Sequence, residues 1–349
     1  MSRRWYFPPT SSPRFDGINA YEIDNKDSPL QTFVREVCQN SNDSAVERPM
    51  RIEFSKFVID TKDLPDSENL RKTLEACSQE TEKIDKNRDA YKRYQLRLKE
   101  LNKPKLTMMR VSDFGTTGLS GSDSDISTTP WNSFTLGRGL SNKDASAGGS
   151  KGRGKDSINR MSRINTAFFS TLDTEGTSAS VGVSYQITHY DEEGQKRESQ
   201  GFYGEDNGRH STEQLMLDSN FIRNEPGTDI YVAAFDETDN DDYQIKLAVI
   251  RDFFVSIIEG KLVAVVNGTK IDENSIYSVL DNLDAPEEDQ ETIANIMELI
   301  NCYRKGPKYS CKDYDIYLDK SEKFYRVASI RAGMTISREF HKLPHDNYM

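Results

Sequence analysis

The sequence predicts an α+β protein, and three observations carry that reading. Residues 28–45, SPLQTFVREVCQNSNDSA, place Leu30, Phe33, Val34, Val37 and Ala45 on one side at helical spacing. Residues 164–171 and 181–188, INTAFFST and VGVSYQIT, are strand-like runs around a Gly/Thr/Ser turn, as in antiparallel neighbours. Residues 66–101 and 243–258 are longer segments of helical character.

In chain order, residues 1–27 are rich in Pro, Ser and aromatics and read as an arm before the first helix. Ser28 can cap that helix, Pro29 suits its first position, and Gln31 completes an S-x-x-Q capping box. Residues 51–59 alternate like a strand. Residues 66–101 are highly charged, with apolar Leu70, Leu74, Ile84, Tyr91, Tyr94 and Leu98. They read as a broken helix or helical hairpin, either a solvated insertion or a partner-binding arm. Residues 106–111, LTMMRV, form a short buried strand that delivers Asp113 at its end. From Gly118 to Gly149 the chain is Gly-, Ser- and Asp-rich, with Trp131, Phe134 and Leu136 as its apolar anchors. A long loop of that kind inside a compact domain is functional or unfolded. Residues 228–235 form a third strand of the group. Then come a helix at 243–258, a strand at 261–266, an Asn267-Gly268 hairpin turn, helices at 275–283 and 288–303, and strands at 314–318 and 324–330.

Composition bounds the partners. The 349 residues hold about two domains. Hydrophobic residues make up 35 % and the mean hydropathy is −0.74, but 16 Tyr and 16 Phe can still fill a core. A net charge of −11 excludes a surface that coats nucleic acid generally, so any DNA contact needs a local basic patch or comes through a partner. No apolar run approaches the ~18 residues of a membrane span, and MSRRWYFPPT lacks a signal peptide's apolar core. Cys38, Cys77, Cys302 and Cys311 contain no C-x-x-C pair and read as reduced cytosolic thiols.

The helix at 28–45 has a second face that needs explaining. Glu36, Asn40 and Asp43 stand at i, i+4 and i+7 and share roughly 60° of arc. Such a trio alone is read as a solvated helix face. Three further segments follow it: DFGTTG at 113–118; Gly148, Gly149, Lys151, Gly152, Arg153, Gly154 and Lys155; and Gly227-Thr228 before DIYVAAF. Together and in this order they resemble the four motifs of the Bergerat-fold ATPases. That superfamily joins DNA gyrase B, the ninety-kilodalton heat-shock chaperone, histidine kinases and MutL (GHKL). The second motif departs from D-x-G-x-G by one extra residue before Gly118. The segments DFGTTGL, AGGSKGRGK and TAFFST are most similar to bacterial Microrchidia-like ATPases, which are linked to DNA-directed defence.

The resemblance implies a two-layer Bergerat sandwich, a mixed and mainly antiparallel sheet covered by helices. It divides the chain into the arm at 1–27, an ATP-binding domain at 28–240 and a C-terminal α/β extension at 241–349. The domain holds a helical insertion at 66–102 and an ATP lid at 119–155. The extension is the possible start of a transducer-like region, which in larger relatives continues further, so the chain is either a fragment or a compact member.

The implied activity is Mg²⁺-dependent ATP hydrolysis that drives lid closure and conformational switching or dimerisation, in a cytoplasmic, DNA-related or antiphage defence system. The implied partners are ATP, a second copy or another subunit, DNA only indirectly, and no membrane. In the implied site Glu36 polarises water and Asn40 holds Mg²⁺. Asp43 lies near base and sugar. Asp113 accepts from the adenine amino group with support from Thr228, and Gly115 and Gly118 let the backbone pass the base. Gly148, Gly149, Gly152 and Gly154 offer amides to phosphates beside Lys151, Arg153 and Lys155.

Four alternatives compete. A non-catalytic ATP-gated scaffold is kept open by the extra residue before Gly118. A histidine kinase needs a phospho-accepting His on a helical hairpin, where none of the four histidines lies. A protein kinase matches DFG but lacks the H-R-D loop and V-A-I-K strand. A P-loop is nearly spelled by Gly149 to Lys155, yet Asp156 replaces the Ser/Thr that holds Mg²⁺.

Overall fold

The structure is a computed structural model that describes residues 3–17, 28–84, 89–137, 153–312, 314–319 and 324–342. The chain divides into two compact units, Met1–Asp239 and Asn240–Met349.

The first unit runs β1 (Arg4–Tyr6), α1 (Pro29–Asp43), β2 (Met50–Asp60), α2 (Ser67–Ile84), α3 (Asp89–Leu101), β3 (Lys105–Phe114), α4 (Arg153–Arg160), β4 (Thr166–Leu172), β5 (Ser178–Tyr185), β6 (His189–Tyr190), β7 (Lys196–Arg197), β8 (Gln200–Gly204) and β9 (Gly227–Val232). Its sheet has the order β1-β8-β5-β4-β9-β3-β2, and every neighbouring pair is antiparallel. The α+β class of the sequence reading stands. The late strand β9 inserts between β3 and β4, so a residue more than a hundred positions after Asp113 becomes its lateral neighbour.

Successive strand residues point to opposite faces, and both faces are covered. One face carries the cross-strand set Phe54, Val111, Ile230 and Phe169, on which α1 sets Phe33 edge-on to Phe54 at 6.5 Å. The helix α4 packs beside α1 and β4. The other face carries Met108, Phe168 and Tyr231, which form one core with Leu70, Leu74, Cys77, Tyr94 and Leu101 of α2 and α3. The two-layer expectation is therefore corrected to helices on both faces. The segment 66–102 is a helical hairpin as expected, but it is not a solvated insertion: its apolar stripe closes the second core. Residues 4–7 also differ from an arm, since β1 pairs with β8 and buries Trp5 against Phe168 at 5.7 Å.

The second unit contains α5 (Asp241–Ile258), β10 (Leu262–Val266), β11 (Thr269–Ile271), α6 (Ile276–Asp281), α7 (Glu287–Lys305), β12 (Lys308–Ser310), β13 (Asp315–Tyr317), β14 (Phe324–Arg331) and β15 (Met334–Lys342). The strands pair as three antiparallel hairpins. Asn267 and Gly268 adopt φ of 45° and 84°, the two left-handed positions that a tight hairpin needs. Ala332 and Gly333, at 50° and 78°, make the same turn before β15, a strand the sequence reading does not contain. No helix among the described residues is long and apolar enough to cross a membrane.

Candidate functional site

The Ser28 hydroxyl accepts from the Gln31 amide at 3.2 Å, which starts α1 where the sequence predicts. The helix stops at Asp43 rather than continuing to Ala45. Ser44 closes it, with its amide on the Asn40 carbonyl at 3.2 Å and its hydroxyl on the carbonyls of Asn40 and Ser41, each at 3.1 Å. Glu36 and Asn40 are half-buried and Asp43 is exposed. Beyond the cap, the loop after β3 is sewn onto the end of α1. The Thr117 amide donates to the Ser44 carbonyl at 3.0 Å, and the Val46 and Glu47 amides donate to the Gly115 carbonyl at 2.9 and 3.0 Å.

That sewing brings Asp113 under α1. Its Oδ2 accepts from the Ser41 hydroxyl at 2.9 Å; its Oδ1 accepts from the Thr116 hydroxyl at 2.7 Å and the Thr228 amide at 2.8 Å. Asp113 keeps 8 % of its surface. Burial raises the carboxyl above its ordinary range, opposed by the Thr116 hydroxyl, the Arg223 charge, the Thr228 amide and the Ser41 hydroxyl. The first, second and fourth sequence segments thus meet at one carboxylate, with Ser41, Thr116 and Thr228 as its donors. Oδ2 accepts once among the described residues, and an ionised carboxylate oxygen has room for a second donor.

The glycines of this loop are held by the protein itself. Gly118 has φ +64°, and a methyl there would lie 2.4 Å from the Leu172 carbonyl oxygen. Gly115 has φ +72°, with Glu47 Cβ at 3.3 Å from the same imagined methyl. Thr171 of β4 completes the fastening: its hydroxyl accepts from the Leu119 amide at 2.9 Å and donates to the Gly227 carbonyl at 2.9 Å.

Of the third segment, Gly148, Gly149, Lys151 and Gly152 lie outside the described residues. Arg153, Gly154 and Lys155 form the opening backbone of α4, the helix beside α1. Residues 119–137, the described part of the expected lid, are held by local hydrogen bonds: the Trp131 amide donates to the Ser120 carbonyl at 3.0 Å, and the Asn132 side chain donates to the carbonyls of Ser124 and Ile126 at 2.6 and 2.9 Å. Trp131 is fully buried and Phe134 stands edge-on to Phe169 at 5.6 Å, so two expected anchors hold. Leu136 instead helps line a cavity of ≈ 550 Å³ with Asp123, Asn132 and His210, away from Asp113.

Sequence reasoning misses Ser41, Thr116, Thr171 and a buried ionic group. Arg223 grips Asp229 through Nε and Nη2 at 2.8 and 2.7 Å; Ser112 donates to Asp229 at 2.6 Å, and Arg110 pairs with Asp218 at 3.2 Å. Ser41 and Thr116 were within reach, because each lies inside a recognised segment and carries a donor. Arg223 and Asp229 follow no spacing rule and meet only through the fold.

Among the described residues no three His, Cys, Asp or Glu side chains form a metal cage. Asn40 offers a single amide oxygen on a half-buried helix turn, the donor type that Mg²⁺ accepts when phosphates and waters supply the rest. The fold and site define an α+β protein with a buried carboxylate, held by three donors, at the end of a central strand. The chain matches no family model, and a search of curated proteins finds no significant match.

Proposed function

We propose that the chain is a Bergerat-fold ATPase of the GHKL type, which binds ATP with Mg²⁺ and hydrolyses it. The observation that supports this best is Asp113: one carboxylate, fixed by donors from α1, from the loop after β3 and from β9, with an acceptor direction left on Oδ2. An acceptor of that kind suits an exocyclic amino group of a base. In this reading Thr228 supports the base contact, Asp43 stands near base and sugar, and Asn40 is the protein ligand to the metal. Mg²⁺, when bound, would supply positive charge against the phosphates. Glu36, one turn before Asn40, takes the proton of the attacking water as the bond between the γ-phosphorus and the ADP oxygen breaks. Gly148, Gly149, Gly152 and Gly154, with Lys151, Arg153 and Lys155, supply donors to the phosphates at the start of α4.

The nucleotide state then switches conformation or dimerisation in a DNA-related defence system, a setting supported by the likeness of DFGTTGL, AGGSKGRGK and TAFFST to Microrchidia-type ATPases. The test is ATP binding and phosphate release by the purified full chain, with and without DNA. Glu36→Ala should keep ATP affinity and lose turnover, while Asn40→Ala should also lose the Mg²⁺-dependent part of binding. Undiminished hydrolysis in Glu36→Ala removes the general base, and binding without turnover in the wild type selects the ATP-gated scaffold.

A further inference from the structure

Arg223, shortly before β9, stands next to the Asp113 carboxylate. Arg223 is 4 % exposed, and its guanidinium carbon stands over the rings of Phe114 and Phe221, at 4.8 and 5.8 Å from their centroids. Besides its two bonds to Asp229, it donates from Nη1 to the Glu225 carbonyl and from Nη2 to the Thr228 carbonyl, each at 3.1 Å. The Thr228 amide in turn donates to Asp113. One residue therefore receives the arginine on its carbonyl and presents its N–H to the carboxylate. Gly227 marks how close the two charges lie. A methyl there would sit 2.3 Å from Arg223 Nη1 and 2.9 Å from Asp113 Oδ1.

We propose that Arg223 is the positioning residue of the Asp113 site, clamping the Gly227–Asp229 backbone so that the Thr228 amide fixes Asp113 as an acceptor-only group that selects a ligand's amino group. The proposal rests on the ATP reading above and deepens it toward base selection. An ionised carboxylate only accepts, so it suits the adenine amino group and repels a carbonyl oxygen such as guanine O6. A protonated carboxyl carries a hydroxyl donor and loses that discrimination. Burial pushes Asp113 toward the protonated form, and Arg223 is the cation that opposes it. The other groups facing Asp113 are neutral: Ser41 from α1, Thr116 from the loop and the Thr228 amide from β9. Asp229 stands behind Arg223, with Arg110 and Asp218 paired beyond it.

The test uses the full chain as wild type, Arg223→Met, Arg223→Lys and the pair Arg223→Met with Asp229→Asn. The paired variant removes the Arg223–Asp229 ion pair whole, so Asp229 is not left as a buried charge without its arginine, which guards against loss of fold. Two readouts are needed: the titration of the Asp113 side-chain carbon by NMR without nucleotide, and ATP and GTP affinity between pH 5.5 and 8 by calorimetry. In the paired variant Asp113 should titrate at least one unit higher, about a tenfold change in its ionised ratio. Its ATP affinity should then fall more steeply from pH 8 to pH 5.5 than that of the wild type, with a shrinking preference for ATP over GTP, while Arg223→Lys stays near wild type. A wild-type titration of Asp113 in the paired variant overturns the proposal, as does a lysine variant that behaves like methionine. A wild type that binds neither nucleotide overturns the ATP reading instead, and the titration still decides whether Arg223 governs Asp113.

Discussion

Ser41 decides what an amide in place of Asp113 would do. Its hydroxyl lies 3.0 Å from the Val37 carbonyl and 2.9 Å from Asp113 Oδ2, and its single hydrogen serves one of them at a time. In Asp113→Asn the amide oxygen takes the place of Oδ1 under Thr116 and Thr228. The NH₂ then donates to Ser41, whose own hydrogen turns to Val37. The pKa shift has a compatible sign: a carboxyl raised in the folded state contributes stability at low pH that is lost as pH rises, so at neutral pH its charge is a cost that the amide removes. Asp113→Asn should therefore change the urea midpoint by less than about 1 kcal/mol equivalent. It should weaken ATP binding by about 1–3 kcal/mol, because a donor now faces the base's amino group. Calorimetry that finds ATP bound equally by the variant, or GTP bound as tightly as ATP by the wild type, removes the base-reading role.

The hairpin of α2 and α3 shows how an element is read correctly in kind and wrongly in place. Leu70, Leu74 and Tyr94 were visible as apolar positions, but the surrounding charge favoured a solvated helix. Their partners Met108, Phe168 and Tyr231 form a continuous face only after β9 inserts between β3 and β4. Leu74→Ala should cost about 2–5 kcal/mol in urea unfolding, as expected for a core leucine. Tyr94 is fully buried and accepts from the Ile187 amide at 3.0 Å, so Tyr94→Phe should cost about 1–3 kcal/mol by stranding that donor. Effects within a few tenths of a kcal/mol would restore the solvated insertion. The strand β15 was legible in principle: Met334, Ile336 and Phe340 alternate after an Ala332-Gly333 turn. Its pairing with β14 is irregular between Ser329 and Ile330, which blurs the pattern on the other side.

Taken as a whole, the chain keeps every assigned site residue in the unit Met1–Asp239. Residues 1–239 alone should accordingly bind ATP with an affinity close to that of the full chain, measured by calorimetry. Loss of binding in a folded fragment would put a determinant beyond Asp239. Acid should weaken the same unit through His189, which is 2 % exposed, bonded through Nδ1 to the Ile187 carbonyl at 2.9 Å and held edge-on by Phe7 at 5.3 Å. Burial lowers its pKa, so the unfolded chain binds the extra proton first. Stability is complete above about pH 6.5 and falls as pH drops below it. The stability difference between wild type and His189→Gln should narrow from pH 7.5 to pH 5.5 in urea titrations; a constant difference would show that His189 does not titrate in that window.

By itself the sequence determined the start of the helix after Ser28 with its cap, the antiparallel pair β4 and β5, the strand that carries Asp113 and the Asn267-Gly268 turn. Each is specified by local spacing, capping or turn chemistry within a few residues. Only the tertiary structure decided that Ser41 and Thr116 complete the shell of Asp113, and that α2 and α3 cover a second face. It alone decided that Arg223 meets Asp229 beside Asp113. These are contacts between distant segments, set by the strand order β4-β9-β3 and by which face each residue presents, and no periodicity in the chain encodes either.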